Sequence, residues 1–447
     1  MSATSETQQS QKEEIVDDIS KVEEAIDLSK LAALKAMNQS KENKMAAKIV
    51  SKKEKSLNLG FLGSGQAGSR IAEAFYKLGY DAVVCNTAFQ DLKFIDVPDS
   101  NKLLLEHGVG GASKEISIGA AAAESHRGEI LQLVNDKLQG SQVNVLCLSL
   151  GGGSGAGSCD TLVDLLSSLG KPLVVITVLP MDTEDSQTKS NSLETLSKLA
   201  SFARTKKISN LIVIDNAKIE SILQGVNQFD FFNLANKSIA ETLDAFNTLS
   251  SMPSATKSLD PMEWSKILMD GEGLSVYGEF KVENYEEDTA IAEAVVNNLN
   301  NNLLAGGFDL KQSKYVGFIV TANKDVWAKI PTSSINYATA MVNDLCGSPK
   351  GVFKGVYAID TDEDCVKVYS FFSGLGLPTE RIEGLKKETL ELQSKIKIKD
   401  EQRSVNLQLN TGVNETISTA QKVKDKLAQK SSTFGKFVSG GVSDRRK

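Results

Sequence analysis

From Ser56 onward, short apolar and β-branched runs alternate with stretches whose apolar residues recur three or four apart. This is the rhythm of strands and helices in a parallel α/β sheet. The pattern predicts strands at 57–62, 81–85, 102–105, 143–149, 172–178 and 210–214. A long helix is predicted over about 228–250, leading through Pro253 to a second strand-bearing region at Ser275–Val282, Tyr315–Thr321, Gly351–Asp360 and Cys365–Ser373. Past Pro378 a charged helix of about 379–400 gives way to a polar tail. Ahead of the strands, Ile15, Ile19, Val22, Ile26, Leu31 and Leu34 fall near helical spacing and predict an amphipathic helix over about 13–38. The expected architecture is an α/β chain. An N-terminal extension, 1–56, helical in part or disordered, precedes a parallel Rossmann-like domain at 57–227 and a central helix at 228–252. A smaller α/β domain at 253–376 and a helical, basic C-terminal segment at 377–447 follow.

Within the first region, the run Leu150–Ser158 holds five glycines in seven positions. It lies between a buried-type strand, Val143–Ser149, and an apolar stretch of helical spacing from Cys159. Strand, glycine loop and helix in that order suit an anion. Orphan amides and the positive end of the helix dipole face the loop, and glycine permits φ > 0 there. A second loop, Gly63-Ser64-Gly65-Gln66-Ala67-Gly68, matches G-x-G-x-x-G ahead of a helix at Ile71–Leu78, which alone suggests a dinucleotide. Such a fold also wants an acid at the end of its second strand, where this chain has Asn86. A third glycine turn, His107–Ser113, follows the third strand, so the turns are expected to converge on the carboxyl edge of the sheet. One polyphosphate held by several loops explains this better than one dinucleotide, although an NAD(P)-dependent oxidoreductase stays open. There is no G-x-x-x-x-G-K-[ST] loop.

Composition narrows the classes. With 447 residues, 41% of them apolar, the chain has material for two or three domains. The five cysteines are scattered without metal-like spacing, as expected of reduced thiols in a cytoplasm. Two histidines support neither a histidine triad nor a zinc site. No apolar run approaches about 18 residues and no signal peptide is evident, so no integral membrane association is expected. A net charge of −7 argues against nucleic-acid binding by the body. Residues 411–447 reverse the sign, with eight Lys or Arg against three Asp or Glu, the composition of an arm for acidic partners.

These residues resemble the tubulin/FtsZ family, over about 57–375. Leu150–Ser158 is similar to its G-G-G-T-G-[ST]-G signature, with Ser154 and Ala156 in the hydroxyl positions. Gly63–Gly68 matches its first nucleotide loop, Asn86–Gln90 its Asn-Thr-Asp-Ala-Gln loop with Ala88 in place of the acid, and Gly108–Ala112 its terminal-phosphate loop. Leu179–Asp182 stands at the sugar loop, with Glu184 and Lys189 in loosely matching positions. The resemblance implies a GTP/GDP site with Mg2+. Its contacts would be Gly63, Ser64, Gly65, Gln66, Asn86, Gly110, Gly111, Ala112, Gly152, Gly153, Ser154, Gly155 and Ala156, with Asn216, Phe232 and Asn236 at the guanine and ribose.

Ser258–Trp264 resembles the family's catalytic loop, with Asp260 and Glu263 in its acidic positions. Taken alone, Asp260-Pro261 with Glu263 is also a good helix start. In the family these acids face the γ-phosphate held by the next subunit, so the resemblance implies a polymerisation-activated GTPase in a head-to-tail filament. The basic tail is more like the plasmid and phage tubulins, of the TubZ and PhuZ type, than like a division-type FtsZ. It implies DNA segregation or positioning through a DNA-bound adaptor or DNA itself. The division role remains the alternative within the family.

Overall fold

The computed structural model describes residues 54–407, apart from 109, 224, 283, 284, 288 and 298–301. The helix expected at 13–38 and the basic tail lie outside the described residues. In chain order the first half carries β1 (Leu59–Ser64), α1 (Gly65–Lys77), β2 (Asp81–Asn86), α2 (Phe89–Lys93), β3 (Lys102–Leu104), α3 (Ile116–Ser125) and α4 (Arg127–Leu138). Then come β4 (Val143–Ser149), α5 (Gly153–Ser168), β5 (Leu173–Leu179), α6 (Ser186–Arg204), β6 (Asn210–Asp215), α7 (Asn216–Ile222) and α8 (Gln228–Leu249). The second half carries α9 (Pro261–Met269), β7 (Leu274–Val282), α10 (Ala290–Asn297), β8 (Tyr315–Ala322), α11 (Lys324–Trp327), α12 (Thr332–Leu345), β9 (Gly351–Ala358), β10 (Val366–Leu375) and α13 (Thr379–Leu407). The described residues fall into two units, one ending at Ile382 and the other beginning at Glu383.

All ten strands join one sheet, in the order β3-β2-β1-β4-β5-β6-β7-β10-β8-β9. The first six are parallel, and β6 meets β7 through only two pairs, Leu211 with Leu274 and Ile212 with Ser275. The second-region strands therefore extend the first sheet, with β10 antiparallel between β7 and β8. β5 and β6 are buried along their whole length, as strands covered by helices on both faces must be. That is why their sequences are mostly apolar, interrupted only by Thr177 in β5 and by Asn210 and Asp215 at the ends of β6. β1 lies two residues later than the pattern predicts: Leu57 is spent ahead of the strand, where its N–H donates to Oδ1 of Asn247 at 2.9 Å.

The central helix α8 buries Phe231, Ala235, Ile239, Leu243 and Phe246 on one stripe. At its far end the buried amide of Asn247 also donates to the Leu57 carbonyl at 2.9 Å and accepts from the Trp264 indole N–H at 3.1 Å. This residue thus ties the end of α8 to the entry of β1 and to α9. Asn247→Leu would strand two buried donors at once, and should destabilise the fold by about 2–4 kcal/mol. Urea unfolding would measure it, and a loss below about 0.5 kcal/mol would contradict the role. Burial also pushes thiols up, Cys85 to about 11 and Cys159 to about 12, which keeps them protonated and unreactive.

Candidate functional site

Three glycine turns meet at the carboxyl edge of the parallel strands. The hydroxyl of Ser64, ending β1, lies 2.7 Å from that of Ser158 in α5, and the Thr87 hydroxyl lies 2.6 Å from that of Ser154. Gly111 N–H donates to the Thr87 carbonyl at 2.9 Å, and a Cβ on Gly153 would sit 2.7 Å from that of Ala112. Gly63–Gly68, Asn86–Thr87, Gly110–Ala112 and Gly152–Ala156 therefore form one contiguous cluster, mostly buried, that reaches solvent through Gln66, Gly110, Gly111, Gly152 and Ser154.

The local conformation differs from the expectation in two ways. Most of the glycine run is not loop: α5 begins at Gly153, six residues earlier than predicted, and α1 begins at Gly65 rather than near Ile71. Nor does any glycine at 151–157 have positive φ, which belongs instead to Gly65, Gly110 and Gly111. The run is small because neighbours press on it. A Cβ on Gly157 would strike the Ile116 carbonyl oxygen and lie 2.7 Å from Ala120 N, both in α3. Close helix packing overrides glycine's poor helix propensity.

What remains polar and unsatisfied at this edge points to an anion. α6, α7 and α9 are capped by Asp185, Asp215 and Asp260. The starts of α1 and α5 have no side-chain cap and no acid in the first turn. Their leading amides, with no partner within their own helices, and their dipoles leave positive ends facing the same cluster. At Gly110 and Gly111 a Cβ would meet nothing within 4 Å, so these positions are open. Asn86 is 1% exposed and turned onto its own loop. It donates to Asp91 at 3.1 Å and accepts from Ala88 N–H at 3.3 Å.

The predicted base residues lie alongside. Asn236 of α8 lines a cavity of about 350 Å³ between α8 and α1, together with Arg70, Glu73 and Asn233. Phe232, one turn earlier, is 43% exposed, and Asn216 opens α7 directly after Asp215. Two uncapped helix starts suit the phosphates of a nucleotide; the cavity at Asn236 runs along α1 as far as Leu78, and Phe232 is not among its lining residues.

Two links were not anticipated from the sequence. Lys114, in a left-handed turn with φ 66°, pairs with Asp185 across the mouth of the site, and its carbonyl accepts from the Asn191 amide at 2.8 Å. Burial pushes the Asp185 carboxyl up, but Lys114 and Thr188 outweigh it and hold the group below its usual value. Arg381, at the start of α13, pairs with Asp215 at 2.8 Å. Neither pair has a spacing signature, because its members lie 71 and 166 residues apart.

Asp260 and Glu263 stand elsewhere. Asp260 Oδ1 accepts from Glu263 N–H at 2.8 Å and Glu263 Oε2 accepts from Asp260 N–H at 3.1 Å, a reciprocal capping box. One oxygen of each acid is used, leaving Oδ2 of Asp260, and Oε1 of Glu263 at 3.8 Å from Lys257 Nζ. These acids follow the end of α8 that touches Leu57, ahead of β1, and the residue before them, Leu259, donates its N–H at 2.9 Å to the Tyr357 hydroxyl near the end of β9. The glycine cluster is at the carboxyl edge. α8, with 22 residues and a length of about 33 Å, runs between the two.

Comparison with known proteins gives two family matches. Residues 58–224 match the Tubulin/FtsZ family, GTPase domain, and residues 245–386 match the Tubulin/FtsZ-like protein TubZ-like, C-terminal domain. The chain is 24% identical over 353 residues to the tubulin-like protein TubZ of Bacillus cereus, covering 72% of this chain and 80% of that one. It is 24% identical over 323 residues to the tubulin-like protein CetZ of Pyrococcus abyssi, covering 70% and 84%. Among solved structures it resembles a GTPγS-form protofilament of Bacillus thuringiensis serovar israelensis TubZ, with a TM-score of 0.71 at 18% identity, over 80% of this chain and 96% of that one.

Proposed function

Because the chain belongs to the tubulin/FtsZ family, with that family's GTPase domain joined to a TubZ-like C-terminal domain, we propose that it is a cytomotive GTPase whose active site is assembled from two copies. The observation that carries this reading is the separation within one chain. The uncapped helix starts and the Asp260–Glu263 pair lie toward opposite ends of α8, so on this reading a second copy brings them together. Filament structures of its fold neighbour TubZ are consistent with such stacking.

On this reading the leading amides of α1 and α5, with Gly110–Ala112, hold the phosphates of GTP, while Phe232 stacks on guanine. Asn236 pairs with the guanine edge, and Asn216 meets the base or ribose. Asn86, being committed to Asp91 and Ala88, shapes its loop around the site. The capping box presets Asp260 and Glu263 of the next copy, whose remaining oxygens orient the attacking water. Among the described residues no cluster of three or more acids, histidines or cysteines is arranged to hold a metal. Mg2+ bound with GTP would neutralise charge on the phosphates. Filaments in the cytoplasm, moving plasmid or phage DNA through an adaptor on the basic tail, complete the proposal. No described helix is long and apolar enough to cross a membrane.

Sedimentation with GTP against GDP tests polymerisation: pelleting with GTP alone is expected, and equal pelleting with both, or none, would overturn it. Asn236→Ala should weaken GTP binding about ten-fold, the equivalent of about 1.4 kcal/mol, and erode the preference over ATP. Competition binding reads this, and unchanged selectivity would remove Asn236 from base recognition.

A further inference from the structure

The first turn of α13 reaches the carboxyl edge of the sheet through a single side chain. Arg381 Nε donates to Oδ2 of Asp215 at 2.8 Å, and Nη2 donates to the Pro180 carbonyl at 3.0 Å and to Asp215 Oδ1 at 3.4 Å. Nη1 lies 3.1 Å from Oδ1 of Asp182. The guanidinium thus ties the end of β6 to the turn that follows β5. Its side chain is 14% exposed and that of Asp215 is 4% exposed, so the pair is largely out of water.

Asp215 is fixed from two further sides. Its Oδ1 accepts from Ala217 N–H at 3.1 Å as the cap of α7, and its own N–H donates to the Leu304 carbonyl at 2.7 Å. The cap sets the path of the next residue, Asn216, and Arg381 sets the cap. Only a planar fork reaches two carboxylates and a carbonyl together, which a lysine ammonium cannot reproduce. Burial pushes the Asp215 carboxyl up while Arg381 pulls it down. Removing Arg381 alone would strand a buried carboxylate.

We propose that Arg381 is a positioning residue of the nucleotide site, a clamp by which the start of α13 holds Asn216 and the 180–182 turn around the bound nucleoside and so limits the rate at which GDP leaves. This rests on the reading above, in which those residues surround the nucleoside. Because α13 runs unbroken from Thr379 to Leu407, the clamp sits on the element that leads into the basic segment.

The test is stopped-flow release of a fluorescent N-methylanthraniloyl-GDP from the full-length protein, kept too dilute to pellet. R381M should release it at least ten-fold faster with an association rate within two-fold of wild type. R381K, keeping the charge and losing the fork, should fall between. The double variant D215N/R381M removes the stranded carboxylate and should regain thermal stability while still releasing fast. If it regains slow release as well, Arg381 is merely structural and the clamp is overturned. N236A runs beside these. If N236A weakens binding while R381K and D215N/R381M release at the wild-type rate, the clamp fails alone. If the wild type holds the GDP probe no better than its ADP counterpart and N236A changes nothing, the nucleoside reading falls and the clamp with it.

Discussion

Asp260→Asn and Glu263→Gln are each expected to cut steady-state GTP turnover by about 10²–10⁴-fold, the range for a lost water-orienting acid or base, while filaments still form and persist. Either amide oxygen can replace the carboxylate oxygen used in the box, Oδ1 accepting from Glu263 N–H and Oε from Asp260 N–H, and asparagine is among the best N-caps. The helix start should therefore survive with a stability change under about 0.5 kcal/mol, while the charge that orients water is gone. Alanine at 260 mixes the two effects, because losing the cap itself costs about 1 kcal/mol. Phosphate release and light scattering on the same samples separate them. Near-normal turnover in both amide variants would reduce the pair to a helix cap.

The second large effect concerns Gly68. A Cβ there would fall on the Cys147 carbonyl oxygen and lie 2.8 Å from the carbonyl carbon and 3.0 Å from Leu148 Cα, all backbone of the central strand β4. Nothing flexible can give way, so Gly68→Ala must push α1 off the sheet and misplace its leading amides. We expect a loss of about 3–5 kcal/mol, at the upper end for single substitutions, together with loss of nucleotide binding. Gly79→Ala is the control: its φ is +82°, but a Cβ there meets nothing within 4 Å, so only about 1 kcal/mol of backbone strain is expected. Thermal unfolding of both variants checks the ranking, and equal losses would contradict the packing account.

Gly68 also shows what the sequence could and could not reveal. Runs such as Leu173–Leu179 announced their strands because burial on both faces leaves mostly apolar residues, here all but Thr177. The Asp260-Pro261-x-Glu263 start was equally legible, because capping is local chemistry. The glycine run was read for the wrong reason. Freedom in φ is a local property and was the natural reading, yet at 151–157 the glycines answer to α3 and to neighbouring backbone, which no local window contains. The same limit hid the helix starts at Gly65 and Gly153. It hid Arg381 as well, one arginine in a charged helix whose partner, Asp215, ends a strand 166 residues earlier. Pairing of that kind is set by topology, and spacing carries no trace of it.

Phosphate release per subunit, measured across a wide range of protein concentration, shows whether the active site belongs to two copies. Turnover is expected to be near zero at low concentration, to rise sharply at a threshold that coincides with the onset of scattering, and then to reach a plateau. Equal turnover per subunit at every concentration, with no threshold, would mean that one chain carries the whole site, and would contradict the two-copy reading.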